Sequence, residues 1–224
     1  MTKYLITPSL LNSYQYYIAN NDEFKSPADS RADFLKTLSK EKFVPNEAMQ
    51  KGIIFEDSIN DYCKDPLYIN VKSNVRSTIH LNFFSDKEPC YYWDCVKSIG
   101  DIVKGGLWQQ TCKKDLHIGN KEFLLYGKMD VVKRDTVYDI KYTVNYELGK
   151  FLDSAQHLIY LYCTGLPKFQ YLVSDGEDFW IEDYFNDGNV ENRIKSMISD
   201  FLGYLENDKE AKEMFETKWG AKYE

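Results

Sequence analysis

Between Tyr126 and Tyr160 this 224-residue chain carries three groups of residues whose types and spacing could do chemistry. They are Gly127-Lys128-Met129-Asp130, Asp139-Ile140-Lys141 and Gln156-His157-Leu158-Ile159-Tyr160. Asp139 and Lys141 sit two apart in an apolar run from Thr136 to Tyr142 that reads as a strand. Both side chains therefore point to one face, and Tyr138 and Ile140 to the other. A tight turn at Arg134-Asp135 brings Asp130 alongside Asp139, so two carboxylates and an ammonium converge. Hard divalent cations such as Mg²⁺ take oxygen ligands of this kind, usually one or two carboxylates with waters and substrate phosphates. A nearby Lys can orient an attacking water and offset charge on a phosphoryl oxygen. Together these are the parts of a phosphodiester-hydrolysis site. Alone, Asp-x-Lys on a strand is more often a solvated face carrying a cross-strand ion pair. The apolar Tyr138, Ile140 and flanking strands point instead to a central strand.

A second carboxylate source lies upstream. Gly52 and Glu56 are i and i+4 on a helix expected from about Asn46 to Cys63, with Met49, Ile53, Phe55, Ile59 and Tyr62 as its apolar positions. A glycine inside a helix costs roughly 1 kcal/mol relative to Ala, so Gly52 is expected to mark a close approach. On its own Glu56 reads as a surface acid of an amphipathic helix.

The elements that must position these groups follow from periodicity and punctuation. Thr7-Pro8-Ser9 opens a helix, with Thr7 as N-cap and Pro8 at the first helical position, and Leu10, Leu11, Tyr14, Tyr17 and Ile18 recur at helical spacing. Residues 20–33 are polar and read as a loop, and residues 64–90 are ambiguous between strand and loop around Ile69-Asn70-Val71. The β pattern begins near Leu116, turns at Gly119-Asn120, runs from Phe123 to Val132, turns at Arg134-Asp135 and continues to Tyr142. A strongly apolar helix is expected over 151–163, ended by Gly165 and Pro167. Strands over 169–173 and 179–181, an amphipathic helix over 190–205 and a charged tail complete the order. That order predicts an α/β domain with a central mixed β-sheet flanked by helices, a single domain over 1–224 with its core at about 5–175 and an acidic helical region at about 176–224.

Composition narrows the classes. Aromatics make up 16% of the chain, which excludes intrinsic disorder. No apolar run approaches the roughly 20 residues of a membrane span, and the N-terminus lacks a secretory apolar core. The five cysteines (63, 90, 95, 112 and 163) are odd in number and form no CxxC pair. Reduced thiols in a cytoplasm are the expectation, and the three histidines complete no zinc signature. The net charge of −7 argues against a generic nucleic-acid binder. It is uneven, however: residues 175–224 carry 14 acids and 6 bases, whereas 113–150 carry 8 bases and 6 acids.

The four groups, in order, resemble the PD-(D/E)XK nuclease superfamily in its RecB-like and phage-type exonuclease branch. The branch pattern is a helical Gly-x-x-x-Glu (Gly52 to Glu56), a Gly-x-x-Asp strand (Gly127 to Asp130), an (Asp/Glu)-x-Lys strand (Asp139 to Lys141) and a helical Gln-x-x-x-Tyr (Gln156 to Tyr160). Thr7 to Tyr14 is similar to the branch's Ser-x-Leu-x-x-Tyr opening helix, and Gly106 to Gln110 looks like the strand that opens its sheet. The resemblance covers about residues 5–175. It implies a restriction-endonuclease-like core and a DNA nuclease of phage or mobile-element type, an exonuclease used in recombination or DNA processing. It implies Mg²⁺ or Mn²⁺ held by Asp130, Asp139, Glu56 and the backbone carbonyl of Ile140, and a nucleophilic water positioned and activated by Lys141. Gln156 and Tyr160 would support the site and touch the DNA backbone. Lys113, Lys114, Lys128 and Lys150 are candidate phosphate contacts, Tyr142 and Tyr146 candidate base platforms, and Trp108 a core residue.

Some branch members hold a [4Fe–4S] cluster with one early and three late Cys. Here none follows Cys163, so no cluster is expected. No Walker motif is present, and a stand-alone module is expected. DNA is the expected partner, with a single-strand annealing or recombination protein and a homo-oligomer as further possibilities, in the cytoplasm of a bacterial host if phage-encoded. The alternative is a catalytically silent binding or inhibitor protein on the same fold. The intact Asp130, Asp139 and Lys141 speak against it.

Overall fold

The computed structural model describes residues 3–19, 26–42, 44–65 and 89–220, without the side chains of 89–91. The ambiguous stretch around Ile69 lies outside the described residues. The elements are β1 (Lys3–Ile6), α1 (Pro8–Ala19), α2 (Pro27–Ser39), α3 (Glu47–Lys64), α4 (Pro89–Val103), β2 (Leu107–Ile118), β3 (Lys121–Lys133), β4 (Thr136–Tyr142), α5 (Ala155–Thr164), β5 (Lys168–Ser174), β6 (Phe179–Phe185), α6 (Val190–Asn207) and α7 (Lys209–Lys218). The fold is α/β, with a mixed sheet of six strands between helices.

The sheet is organised around β3. β2 runs antiparallel to it from Ile118↔Lys121 to Leu107↔Val132 and so covers one whole edge. β1 pairs parallel with Glu122–Leu125 and β4 antiparallel with Val131–Lys133. Both must therefore share the other edge, and neither pairs with residues 126–130. This leaves a fork in the sheet, with α1 starting at one lip, where β1 ends. β5 pairs parallel with β4 through the α5 crossover, and β6 closes the sheet antiparallel to β5.

Two apolar cores sit on the two faces. The larger joins α1, α2, α5, α6 and α7 to the sheet through residues such as Leu10, Phe34, Phe123, Val137, Ile159, Phe169, Phe201 and Phe215. The smaller packs α3 and α4 on Val131, Ile140 and Leu172. The acidic C-terminal region is thus woven into the fold. β6 completes the sheet, and Ile194, Ile198 and Phe201 are fully buried. Leu5 N–H also donates to Trp219 O at 2.7 Å.

Several sequence expectations need correction. Residues 27–33, read as loop, form the first turns of α2. Ser26 caps it, with its Oγ accepting from Asp29 N–H at 3.2 Å, and Pro27 starts it. Its buried Phe34 and Leu38 come late, so the polar opening turns hid the period. Met49 and Ile53 are about half exposed, and only Phe55, Ile59 and Tyr62 of the expected stripe are buried. Among the described residues nothing lies within 4 Å of a Cβ built on Gly52, so none of them makes the close approach expected of that glycine. β2 runs unbroken from Leu107, so the strand expected at 106–110 and the β pattern expected from near Leu116 are one strand, whose first nine residues are mostly exposed and polar. α5 begins at Ala155, not 151: Ser154 Oγ caps Gln156 N–H and Asn12 Oδ1 accepts from Ala155 N–H at 2.7 Å, which pins the start. Among the described residues no helix is long and apolar enough to cross a membrane.

Candidate active site

The site forms at the fork. With no strand on the β1–β4 edge of residues 126–130, side chains from both helical layers can reach that edge. Asp139 is 1% exposed on β4. Its Oδ1 accepts from Gln156 Nε2 of α5, and its Oδ2 forms an ion pair with Lys141 Nζ at 2.5 Å. Asp130 Oδ2 accepts from Ile140 N–H at 2.9 Å, which ties the two strands just beyond the point where their ladder ends. Tyr160, one turn beyond Gln156, donates its hydroxyl to Lys128 O at 2.7 Å. That carbonyl lies on the open part of β3, and the bond satisfies a backbone group that the fork leaves without a strand partner. Gly127 is where the ring passes: a Cβ there would meet Tyr160 Cε1 at 2.2 Å. The glycine of the Gly-x-x-Asp group is needed for space.

Glu56 comes from α3 on the opposite layer. Its Oε1 accepts from Gln109 Nε2 of β2 at 2.5 Å. Gln109 is missing from the β2–β3 register at the place where it would face Asp130, and its φ is +54°. A left-handed non-glycine backbone costs about 1–3 kcal/mol and persists only where its surroundings fix it. The side-chain alternation of β3 also breaks here. Met129 belongs to the larger core and Val131 to the smaller, so Asp130 sits at the switch between faces.

The electrostatics are those of an anionic cluster with one internal cation. Burial raises the Asp130 carboxyl well above the usual range, and Asp139 and Glu56 add to the rise. Burial also raises Asp139, with Lys141 opposing. Glu56 is raised by burial, then by Asp139 and by the exposed Asp57. Burial works against the Lys141 ammonium, but Asp139, Asp130 and Glu56 outweigh it and its pKa lies above the ordinary value. With the carboxylates free of metal, Lys141 therefore stands as an ammonium beside them. Its ammonium also lies 5.8 Å from the Tyr171 ring centroid.

Among the described residues, no group of three or more His, Cys, Asp and Glu side chains stands arranged to hold a metal ion. In kind, the donors fit a hard divalent cation. Three carboxylates crowd one edge and repel one another, and Lys141 offsets only part of their charge. Beside them opens a cleft of about 430 Å³, lined by Thr7, Ser9 and Asn12 of the α1 end, Lys128 and Lys141, and the Gln156–Tyr160 face.

Of the remaining candidates, Lys128 lines this cleft and Lys113 is exposed on β2. Lys114 is turned to α5, with Nζ 3.1 Å from Tyr162 O and over its ring. Lys150 ties its own loop, donating to Thr143 Oγ1 at 2.9 Å and Asn145 O at 2.6 Å. Tyr142, expected on the DNA side, lies on the other face with its ring 5.3 Å from Phe55. Trp108 packs against the smaller core, as expected. Tyr146 packs at a tilt against the Trp180 ring and donates to Glu182 Oε1 at 2.6 Å. Glu182 also accepts from Gly149 N–H at 3.0 Å and Tyr184 at 2.6 Å. This buried acid anchors the loop between Lys141 and Gln156. Gln109 was not singled out from sequence, since no residue type announces a left-handed Gln.

No family model matches the chain, and no curated protein matches it. Among solved structures, one similar chain is described as "Crystal structure of SSO0001". The likeness covers 66% of this chain and 87% of that chain, at 12% identity and a TM-score of 0.36, too low to carry an argument.

Proposed function

We propose that the chain is a metal-dependent deoxyribonuclease of the PD-(D/E)XK type. The observation that carries this reading is the convergence of Asp130, Asp139, Lys141, Gln156 and Glu56 at the fork of the sheet, beside a cleft with a second lysine. Asp130, Asp139 and Glu56 would hold Mg²⁺ or Mn²⁺, helped by the Ile140 carbonyl. When bound, the ion supplies Lewis acidity toward a phosphoryl oxygen and lowers the pKa of a bound water.

The chain's own residues do the rest. Gln156 holds Asp139 through its amide, and Tyr160 fixes the Gln156 helix against β3. Lys141, a charged donor, orients the attacking water and stabilises negative charge on the phosphoryl group. The water's proton leaves to a site side chain or to solvent. The water oxygen bonds to phosphorus as the phosphorus–oxygen bond to a DNA sugar breaks, and the leaving sugar oxygen takes a proton from solvent. Lys128, at the cleft, suits the flanking phosphate. The exonuclease mode and a role in recombination or processing rest on the sequence resemblance.

The test is cleavage of end-labelled linear, circular and single-stranded DNA in a Mg²⁺ and Mn²⁺ series with an EDTA control. Linear DNA is expected to be degraded from its ends and EDTA to stop it. If no DNA or RNA is cut and no metal is bound, the binding or inhibitor protein takes its place.

A further inference from the structure

Gln109 lies outside all four sequence groups, yet it touches one carboxylate of the site and stands opposite another in the sheet. Its amide donates to Glu56 Oε1 at 2.5 Å, across 53 positions of sequence and between two elements on different layers. Its backbone is left-handed inside a strand, at φ +54°. The opening it makes in the β2–β3 register falls opposite Asp130. Gln109 itself is exposed, so no burial of its side chain repays the strain. A strained interior strand residue whose side chain ends on a site carboxylate is the pattern expected of a positioning residue.

We infer that Gln109 is a positioning residue for Glu56, holding that carboxylate toward Asp130 and Asp139 for a divalent cation. The inference rests on the proposed metal site and adds the outer-shell group that orients its α3 ligand. A carboxylate on an amphipathic helix has several rotamers open to it. One donor on Oε1 removes most of that freedom and leaves Oε2 for the ion. Outer-shell donors to carboxylate ligands change metal affinity about 10–100-fold when removed. The left-handed backbone allows the reach, since a regular strand would aim residue 109 by simple alternation with Trp108 and Gln110.

The experiment is isothermal titration of Mn²⁺ alone, without DNA, into the full chain. The proteins are the parent, Gln109→Ala, Gln109→Gly, Glu56→Gln and the Glu56→Gln/Gln109→Ala pair. Bound Mn²⁺ is also followed by its electron paramagnetic resonance signal, and folding is checked by melting without metal. Gln109→Ala is expected to melt as the parent does and Gln109→Gly at or above it, and both to bind Mn²⁺ about tenfold or more weakly. Glycine adopts the left-handed backbone freely, so equal losses assign the effect to the amide. In the Glu56→Gln background, Gln109→Ala should add less than about a twofold change, because its partner is already altered.

The inference is overturned if Gln109→Ala binds Mn²⁺ as tightly as the parent while Glu56→Gln does not. It is also overturned if Gln109→Gly keeps parental affinity, or if the Gln109→Ala loss is undiminished without Glu56. A parent chain that binds no Mn²⁺ overturns the metal site itself, and the inference with it.

Discussion

Gly127→Ala tests whether the fork, the helix and the Asp139 carboxylate form one mechanical unit. A Cβ at this position would lie 2.2 Å from Tyr160 Cε1, 3.0 Å from Cδ1 and 3.2 Å from Cζ. Ordinary contact begins near 3.4 Å, so the ring must retreat by about 1 Å. It has little freedom to do so. Tyr160 is 3% exposed, and its hydroxyl is held to Lys128 O at 2.7 Å. Overpacking of this kind costs about 1–3 kcal/mol. Gln156, one turn away on the same helix, carries the displacement to Asp139, and a shift of about 1 Å at a reacting group can cost about 100-fold in rate. Urea unfolding and single-turnover cleavage read the two effects. In a Tyr160→Ala background, where the ring is gone, Gly127→Ala should cost less than about 0.5 kcal/mol, since coupling belongs to residues in contact. A Gly127→Ala protein as stable as the parent, or one equally destabilised in both backgrounds, would refute the reasoning.

Two further outcomes are expected. The Asp130 carboxyl holds its proton in the folded chain to higher pH than in the unfolded one, so metal-free stability falls as pH rises from the unfolded value through the folded one. Asp130→Asn, which can still accept from Ile140 N–H, should remove that fall. It should raise metal-free stability at pH 8 by about 1 kcal/mol, as active-site substitutions often do, abolish cleavage, and leave stability at pH 3 unchanged in chemical denaturation. His157 is 2% exposed and stacks on Tyr184, and burial followed by Arg193 lowers its pKa from 6.5 to about 4. Its folded pKa is depressed, so the unfolded chain binds the extra proton and stability drops as pH falls from about 6.5 to about 4. At one pKa unit per 1.36 kcal/mol the loss reaches about 3 kcal/mol. His157→Phe should flatten the stability profile across that window.

The parts legible in the sequence are those set by local pattern. β3, its turn and β4 follow from apolar runs broken by Arg134-Asp135, and α5 ends where Gly165 takes the left-handed cap. Alternation along β4 fixes Asp139 and Lys141 on one face. It also sets Tyr142 on the face of Tyr138 and Ile140, against its expected contact with DNA. What was hidden depends on long-range pairing. The fork exists because β1 and β4 divide one edge of β3, and nothing in the spacing of Glu56 says that a gap lets α3 reach Asp139. The start of α2 was hidden because its buried residues come after two polar turns. The role of Gln109 depends on a single backbone angle, which residue type does not encode.

The most direct measurement is the single-turnover cleavage of end-labelled linear DNA in Mg²⁺ by the parent, Lys141→Ala and Asp139→Asn, with circular dichroism confirming that all three are folded. The expected result is cleavage by the parent that EDTA abolishes, and rates lower by about 100-fold or more in both variants. Folded variants that cut as fast as the parent would contradict the assignment of Asp139 and Lys141 to the chemistry.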